Sequence, residues 1–259
     1  VGFLETVIEA KRTEVAERSA ARPVAELEQL AAGVPVRDFA AAISGGNRVI
    51  AELKARTPTI KSFRHSESLH DLARTYEEGG AAAISIVVDE ANFGTSLDDV
   101  HRVRERVALP VLAKEFIFDP YQVLEARAFG ADAILLIARM LDWDRLTGLL
   151  ELTRRLGMAA LVETHSEDEM KMALQAKAGI VGVNNRDLDT MTISLDTTRR
   201  LARLVPAGVT LVAESGIKGR ADVEDLAAHG AGAFLVGGSL LDSPDPGRLL
   251  RQLTGEEPE

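Results

Sequence analysis

The chain has 259 residues, 46% hydrophobic and 27% charged, with a formal net charge of −10; that is long for a typical domain, ordinary for an α/β barrel, and enough to bury a core without disulfide or metal support. The acidic balance argues against nucleic acid or an anionic membrane as partner, since both need a basic footprint. The complete lack of cysteine excludes disulfides, thiol nucleophiles and thiolate metal sites, and it favours a reducing compartment, so a cytoplasmic location is expected.

The amino-terminal stretch 1–20 is charged and periodic, with Phe3, Leu4, Val7, Ile8 and Val15 on one side, which predicts an amphipathic helix and not a signal peptide. No apolar run approaches the roughly 18 residues needed to span a bilayer. Eight short apolar runs then recur, starting near Val49, Ala83, Val111, Ala133, Ala159, Ile180, Thr210 and Ala233. Their starts lie between 21 residues apart (Ala159 to Ile180) and 34 apart (Val49 to Ala83), room for a strand, a helix and two loops. Near-continuous apolar runs are the pattern of parallel strands buried on both faces. Gly79, Gly80, Gly130, Gly157, Gly179 and Gly230 stand where helices should stop before the next strand. Charged stretches such as 67–78 and 98–106 read as solvated helix faces.

Eight strand–helix units in one chain predict a single (β/α)8 TIM barrel, α/β in class, over residues 46–254. An open doubly wound sheet should carry a glycine-rich turn after its first strand, and 55–61 contains no glycine. Residues 1–45 are expected to form a helical extension capping one end of the barrel, the whole chain 1–259 making one domain. The tail from Gly255 is expected to fray.

The strand ends carry the chemistry. Glu52 and Lys54 end the first run, Asp89 and Glu90 follow the second, Lys114 and Glu115 the third, Arg139 the fourth, Glu163 the fifth, Asn184 and Arg186 the sixth, and Glu214 the seventh. In a barrel these positions converge on one mouth. Polar residues also simply begin where strands stop, but that explains Glu52, Lys54, Lys114, Glu163 and Glu214 poorly, because each lies in or directly after an apolar run where burial is costly unless the groups pair or react. The turns Glu214-Ser215-Gly216-Ile217 and Gly237-Gly238-Ser239-Leu240 follow the two strands after which barrels often bind phosphate through main-chain N–H groups. The five histidines, His65, His70, His101, His165 and His229, show no metal-binding spacing, and only His165 falls near the mouth. Trp143 opens a helix behind an N-capping Asp142 and is expected to serve packing.

These segments together resemble the indole-3-glycerol phosphate synthase family. The likeness runs from the amino-terminal helix to the eighth-strand glycines and is carried by Ile50-Ala51-Glu52-Leu53-Lys54, by 109–114 and 116–122, by Leu161-Val162-Glu163-Thr164-His165, by 182–188 and by Ala213-Glu214-Ser215-Gly216-Ile217. The resemblance implies a phosphorylated anilino-sugar substrate, ring closure with loss of CO₂ and water, and no cofactor or metal. It implies that Lys114 protonates the ketone oxygen and that Glu163 takes and returns protons. Lys54 either holds the carboxylate or acts as acid in the dehydration, and Glu52, Asn184 and Glu214 orient lysines and hydroxyls. Ser215 completes the catalytic set; Thr57, Gly216, Gly237 and Gly238 take the phosphate, and Phe93, Phe116, Leu135 and Arg186 frame the rest of the substrate. Close opposite charges oppose burial, so pKa values nearer neutral are expected.

The chain departs from the family's usual pattern at Ala55, Lys61, Val88, Thr95 and Glu115, which predicts altered loops around the substrate. Two other readings compete: a paralogue acting on a modified anilino sugar phosphate, and a non-catalytic barrel that binds a phosphorylated metabolite. The second predicts lost catalytic positions, and none is lost. Oligomeric state is left open, a monomer being admissible.

Overall fold

The computed structural model describes residues 3–56 and 68–257. The chain begins with α1 (Phe3–Ala21), α2 (Val24–Ala32) and α3 (Phe39–Ala42) and then alternates strand with helix. In order come β1 (Arg48–Leu53), α4 (Leu69–Glu78), β2 (Ala83–Val87), α5 (Glu90–Phe93), α6 (Leu97–Arg106), β3 (Val111–Lys114), α7 (Pro120–Ala128), β4 (Ala133–Ile137) and α8 (Trp143–Arg155). There follow β5 (Ala159–Thr164), α9 (Glu167–Gln175), β6 (Ile180–Asn184), α10 (Asp196–Leu201), β7 (Thr210–Glu214), α11 (Arg220–Ala228), β8 (Ala233–Val236), α12 (Gly238–Asp242) and α13 (Pro246–Thr254). The strands are parallel and close β1 through β8 into a barrel, with β8 pairing back on β1. All eight expected strand starts coincide with a strand to within one residue.

Helix starts follow from short polar residues placed to accept orphan N–H groups. Ser68, Asp119, Asp142, Ser166 and Asp245 each accept a main-chain N–H at the head of a helix. Helix stops partly follow the glycines: Gly80, Gly130, Gly157 and Gly230 have positive φ, but Gly179 does not. There Lys177 takes the left-handed turn at φ 60°, two residues after α9 ends, so glycine spacing alone misplaced that stop.

Strand alternation sorts the core into two layers. Val49, Ala51, Leu53, Ile84, Ile86, Val111, Ala113, Val162, Val181, Val183, Leu211, Ala213 and Phe234 face outward and pack under the surrounding helices. Ile50, Ala83, Leu112, Ala133, Leu135, Leu161, Ile180, Val212, Ala233 and Leu235 fill the inside.

The amino-terminal extension caps the barrel only in part. Phe39 and Ile43, from α3 and just after it, join the inner layer and plug the amino-terminal end, while α2 packs on α7. α1 instead reaches the opposite rim: Lys11 Nζ lies 3.5 Å from the Val88 carbonyl and 3.4 Å from Glu115, and Arg18 pairs with Glu115 at 3.0 Å and Glu125 at 3.1 Å. The buried face of α1 is therefore not purely apolar; Val7 and Val15 share it with a buried Lys11.

Three further expectations are corrected. Trp143 is 46% exposed, while Asp142 does cap its helix. In the stretch 98–106, Arg104 is buried and pairs at 2.5 Å with the fully buried Asp132. The tail is held as far as Glu257, whose carboxylate meets Arg251 at 2.9 Å and Arg248 at 3.2 Å. Among the described residues no helix is long and apolar enough to cross a membrane.

Candidate active site

Inside the barrel, polarity changes with height. Counting inward positions by twos, β1 reads Ile50, Glu52, Lys54; β3 reads Leu112, Lys114; β5 reads Leu161, Glu163; β6 reads Ile180, Gly182, Asn184; β7 reads Val212, Glu214. An apolar floor thus carries a layer of charged groups at the carboxyl ends of the strands. Glu52, Glu163, Asn184 and Glu214 are buried, and the lysines are partly open to the mouth.

Glu52 joins the two lysines. Its Oε1 accepts from Lys54 Nζ at 2.5 Å and its Oε2 lies 3.6 Å from Lys114 Nζ. Burial alone would raise the Glu52 pKa, but the two ammonium groups overcome it and hold the carboxyl down at about 2. Burial likewise works against a charged Lys114, yet Glu52, then Glu163 and Glu214, keep it above the usual lysine range. Pairing therefore outweighs desolvation here, and the expected drift towards neutral values does not occur at either group.

Glu214 behaves in the opposite way. Burial and the neighbouring Glu163 push its pKa well up, against the pull of Lys114. Neither of its carboxylate oxygens finds a donor, so no hydrogen bond offsets the burial. Room for it comes from Gly182, where a Cβ would collide with Glu214 Oε1. Gly237 does the same for Glu52: a Cβ there would stand 2.5 Å from Glu52 Oε1. Gly237 therefore clears space for a carboxylate, a role the phosphate expectation did not contain.

Around this centre, Asn184 Oδ1 accepts the Arg186 N–H at 3.0 Å, which turns the chain out of β6. Asn185 ties two loops together, donating to the Ser215 carbonyl at 3.1 Å and accepting from Thr198 Oγ1 at 2.8 Å. Ser215 sits at φ 64° and Gly216 at φ 84°, a left-handed pair after β7. Gly237 and Gly238 open α12 after β8. Phe93 accepts the N–H groups of Ala55 and Arg56 on its carbonyl, linking the loops after β1 and β2. Phe116 packs against the inner layer, and Leu135 lies within that layer, level with Leu161 and below Glu163. Thr57, Lys61 and His65 lie outside the described residues.

Three of the five departures sit away from the open mouth. Val88 and Thr95 are buried at the base of the loop after β2, where Thr95 Oγ1 donates to the Val87 carbonyl. Glu115 is buried against Lys11 and Arg18 of α1. They adjust the packing of α1 and that loop.

Sequence reading passed over Ser85, Gly182, Asn185 and Glu169. Ser85 is fully buried inside the barrel beside Glu52 with its hydroxyl unpartnered. Its signal was a lone hydroxyl within Ala83-Ile84-Ser85-Ile86-Val87; that of Gly182 was a glycine inside a strand, the mark of a close approach. Among the described residues no group of three or more His, Asp or Glu is placed to hold a metal ion.

Comparison with known proteins adds the family. The family model described as indole-3-glycerol phosphate synthase matches residues 4–253. A protein of that name from Mycolicibacterium vanbaalenii is 45% identical over 245 residues, 94% of this chain and 90% of its own length. One from Parafrankia is 44% identical over 252 residues, 96% of this chain and 94% of its own. Indole-3-glycerol phosphate synthase 2 of Streptomyces coelicolor is 44% identical over 256 residues, 98% and 99% of the two chains. Two solved structures share the fold at low identity. The N-acetylmannosamine-6-phosphate 2-epimerase of Clostridium perfringens has a TM-score of 0.62 at 16% identity, covering 85% of this chain and 97% of its own. A chain of the tryptophan synthase complex of Pyrococcus furiosus has a TM-score of 0.61 at 18% identity, covering 82% and 99%.

Proposed function

The chain belongs to the indole-3-glycerol phosphate synthase family, and from that premise we propose how its residues divide the reaction. The activity is that of a decarboxylating lyase of tryptophan biosynthesis. It takes 1-(2-carboxyphenylamino)-1-deoxyribulose 5-phosphate, joins the ring carbon that bears the carboxylate to the ketone carbon, releases CO₂, and then releases water to complete the pyrrole.

Lys114 donates its proton to the ketone oxygen as the ring carbon attacks. Its raised pKa keeps that proton in place at neutral pH until charge develops on the oxygen. Lys54, held on the same glutamate, supplies the second positive charge, facing the substrate carboxylate or the hydroxyl that departs. Glu163 takes and returns the proton of the dehydration. Glu52 aims both lysines, and Glu214, Asn184 and Ser215 order the sugar hydroxyls. The phosphate lies against the main-chain N–H groups of Gly216, Gly237 and Gly238, with Thr57 lending a hydroxyl, and Arg186 faces the anilino carboxylate. Phe93, Phe116 and Leu135 line the apolar side. The reading takes the chain as one catalytic domain working in the cytoplasm without a cofactor, because the reaction forms one carbon–carbon bond, breaks another with loss of CO₂ and breaks a carbon–oxygen bond with loss of water, and none of these steps calls for an electron carrier.

The observation that carries it is the single buried glutamate holding two lysines over the apolar floor of the barrel. Relatives at 44–45% identity bear the synthase name, which leaves the modified-substrate and non-catalytic readings without support of their own. The test is turnover of the anilino-deoxyribulose phosphate by purified protein, followed by indole fluorescence. Fluorescence that grows with enzyme concentration is expected; none at saturating substrate would refute the reading.

A further inference from the structure

One ionisable cluster on the rim has no place in the division of labour above. His165 follows Glu163 by two residues and its side chain is 11% exposed. Its Nε2 stands 3.5 Å from Glu163 Oε1 and its Nδ1 stands 3.4 Å from Glu169 Oε2. Both ring nitrogens are buried and neither makes a hydrogen bond. Glu169 is fixed in turn: its Oε2 accepts the His165 main-chain N–H at 2.7 Å, its own N–H donates to Ser166 Oγ at 3.2 Å, and it lies in the first turn of α9, where a negative charge suits the helix dipole.

An imidazole with a carboxylate at each nitrogen is best matched when both nitrogens carry protons. A neutral ring would turn one lone pair towards a carboxylate oxygen. The charged groups facing the ring are Glu163 from β5, Glu169 from α9 and Arg139 from the turn after β4. Arg139 opposes the charge, but it is bound at 2.5 Å to Asp189 on the loop after β6. Burial lowers the His165 pKa, and Glu169 and Glu163 together raise it above the ordinary value of 6.5; Glu169 is correspondingly lowered.

We propose that His165 is a positioning residue for Glu163, an imidazolium clamped between Glu163 and Glu169 that fixes the aim of the carboxylate moving the reaction's proton. The inference rests on the reading of Glu163 given above. It makes the titration of His165 visible in kcat, since losing that cation frees Glu163 to turn away from its aim.

The experiment is kcat and KM against pH for wild type, His165→Gln and Glu169→Gln. In wild type, kcat should fall on the alkaline side as His165 loses its proton. Glu169→Gln should move that fall to lower pH. In His165→Gln the fall should vanish from a plateau lowered about tenfold, less than the roughly 10²–10⁴-fold of a proton-transfer group itself, with KM little changed. A fall that persists in His165→Gln, or stays in place in Glu169→Gln, overturns the proposal, as does a His165→Gln enzyme of wild-type rate. Imidazole nitrogen NMR keeps the question open to decision if a variant misfolds or turnover is absent. His165 should carry both protons at pH 6 in wild type and titrate at lower pH in Glu163→Gln; a neutral ring at pH 6, or a titration unmoved by that change, overturns the pairing. Lack of wild-type turnover alone would instead count against the proposed function.

Discussion

Replacing Glu52 by glutamine tests whether pairing really outweighs burial at the centre of the site. Glutamine keeps the shape and hydrogen-bonding ends of a protonated glutamate, so the variant imitates wild type with that group neutral. The Glu52 pKa is lowered from 4.5 to about 2, a shift worth about 3 kcal/mol between the charged and neutral forms at neutral pH. That is a large part of the roughly 5–15 kcal/mol by which a domain is stable. The sign follows from linkage: a carboxyl lowered on folding adds stability above its unfolded pKa and loses it as pH falls through the folded one. Urea unfolding at pH 7 should therefore show Glu52→Gln less stable by about 3 kcal/mol, with the gap closing between pH 4.5 and about 2. The variant should also lose turnover, because neither lysine is then held. A variant as stable as wild type at pH 7, or a gap that does not change with pH, would refute the reasoning.

Lys114→Ala should lower kcat by on the order of 10²–10⁴-fold with the circular dichroism spectrum unchanged; a rate above about a tenth of wild type would remove it as the acid. Glu214 is raised on folding, so its contribution is present below pH 4.5 and is lost as pH climbs through its folded value; Glu214→Gln should be at least as stable as wild type at pH 7, with an advantage that grows with pH in thermal unfolding. Gly182→Ala drives a Cβ into Glu214 Oε1 and to 3.2 Å from Leu161 Cδ1; overpacking of this kind costs roughly 1–3 kcal/mol, and a variant of unchanged melting temperature would show that Glu214 moves aside freely.

The barrel was legible because its signals are local. Each strand is a short apolar run, each helix starts on a short polar cap, and alternation along a run places Glu52, Lys114, Glu163 and Glu214 on the inner face without reference to any other strand. The convergence of those groups followed from the closed topology alone. What stayed hidden depends on partners distant in the chain. Arg104 lies on a stretch that reads as a solvated face, and only the fold brings Asp132 beneath it. Lys11 occupies the buried side of an amphipathic helix, where a cation is tolerated because Glu14 on the same helix and Glu115 at β3's end both meet it. The directions of the pKa shifts were hidden for the same reason: burial was foreseeable at Glu52 and Glu214 alike, but only the structure puts lysines beside one and a second glutamate beside the other.

The pairing of α1 with Glu115 also changes what the amino-terminal helix is for. Successive side chains at the end of β3 point to opposite sides, so when Lys114 enters the mouth, Glu115 must leave it. Outside the barrel an isolated buried carboxylate would be costly, and α1 supplies Lys11 at 3.4 Å and Arg18 at 3.0 Å to meet it. Arg18 in turn reaches Glu125 on α7, and the Tyr121 hydroxyl on that helix donates to the Arg18 carbonyl at 2.9 Å. Val88, just after β2, accepts from Lys11 on its carbonyl and donates its own N–H to the Lys114 carbonyl at 2.8 Å. The Lys114 carbonyl and the residue that follows it are thus held by segments that α1 contacts from outside the barrel. A residue such as Glu115, which looks like a change in the loops around the substrate, instead belongs to the clamp that sets where the lysine beside it can stand.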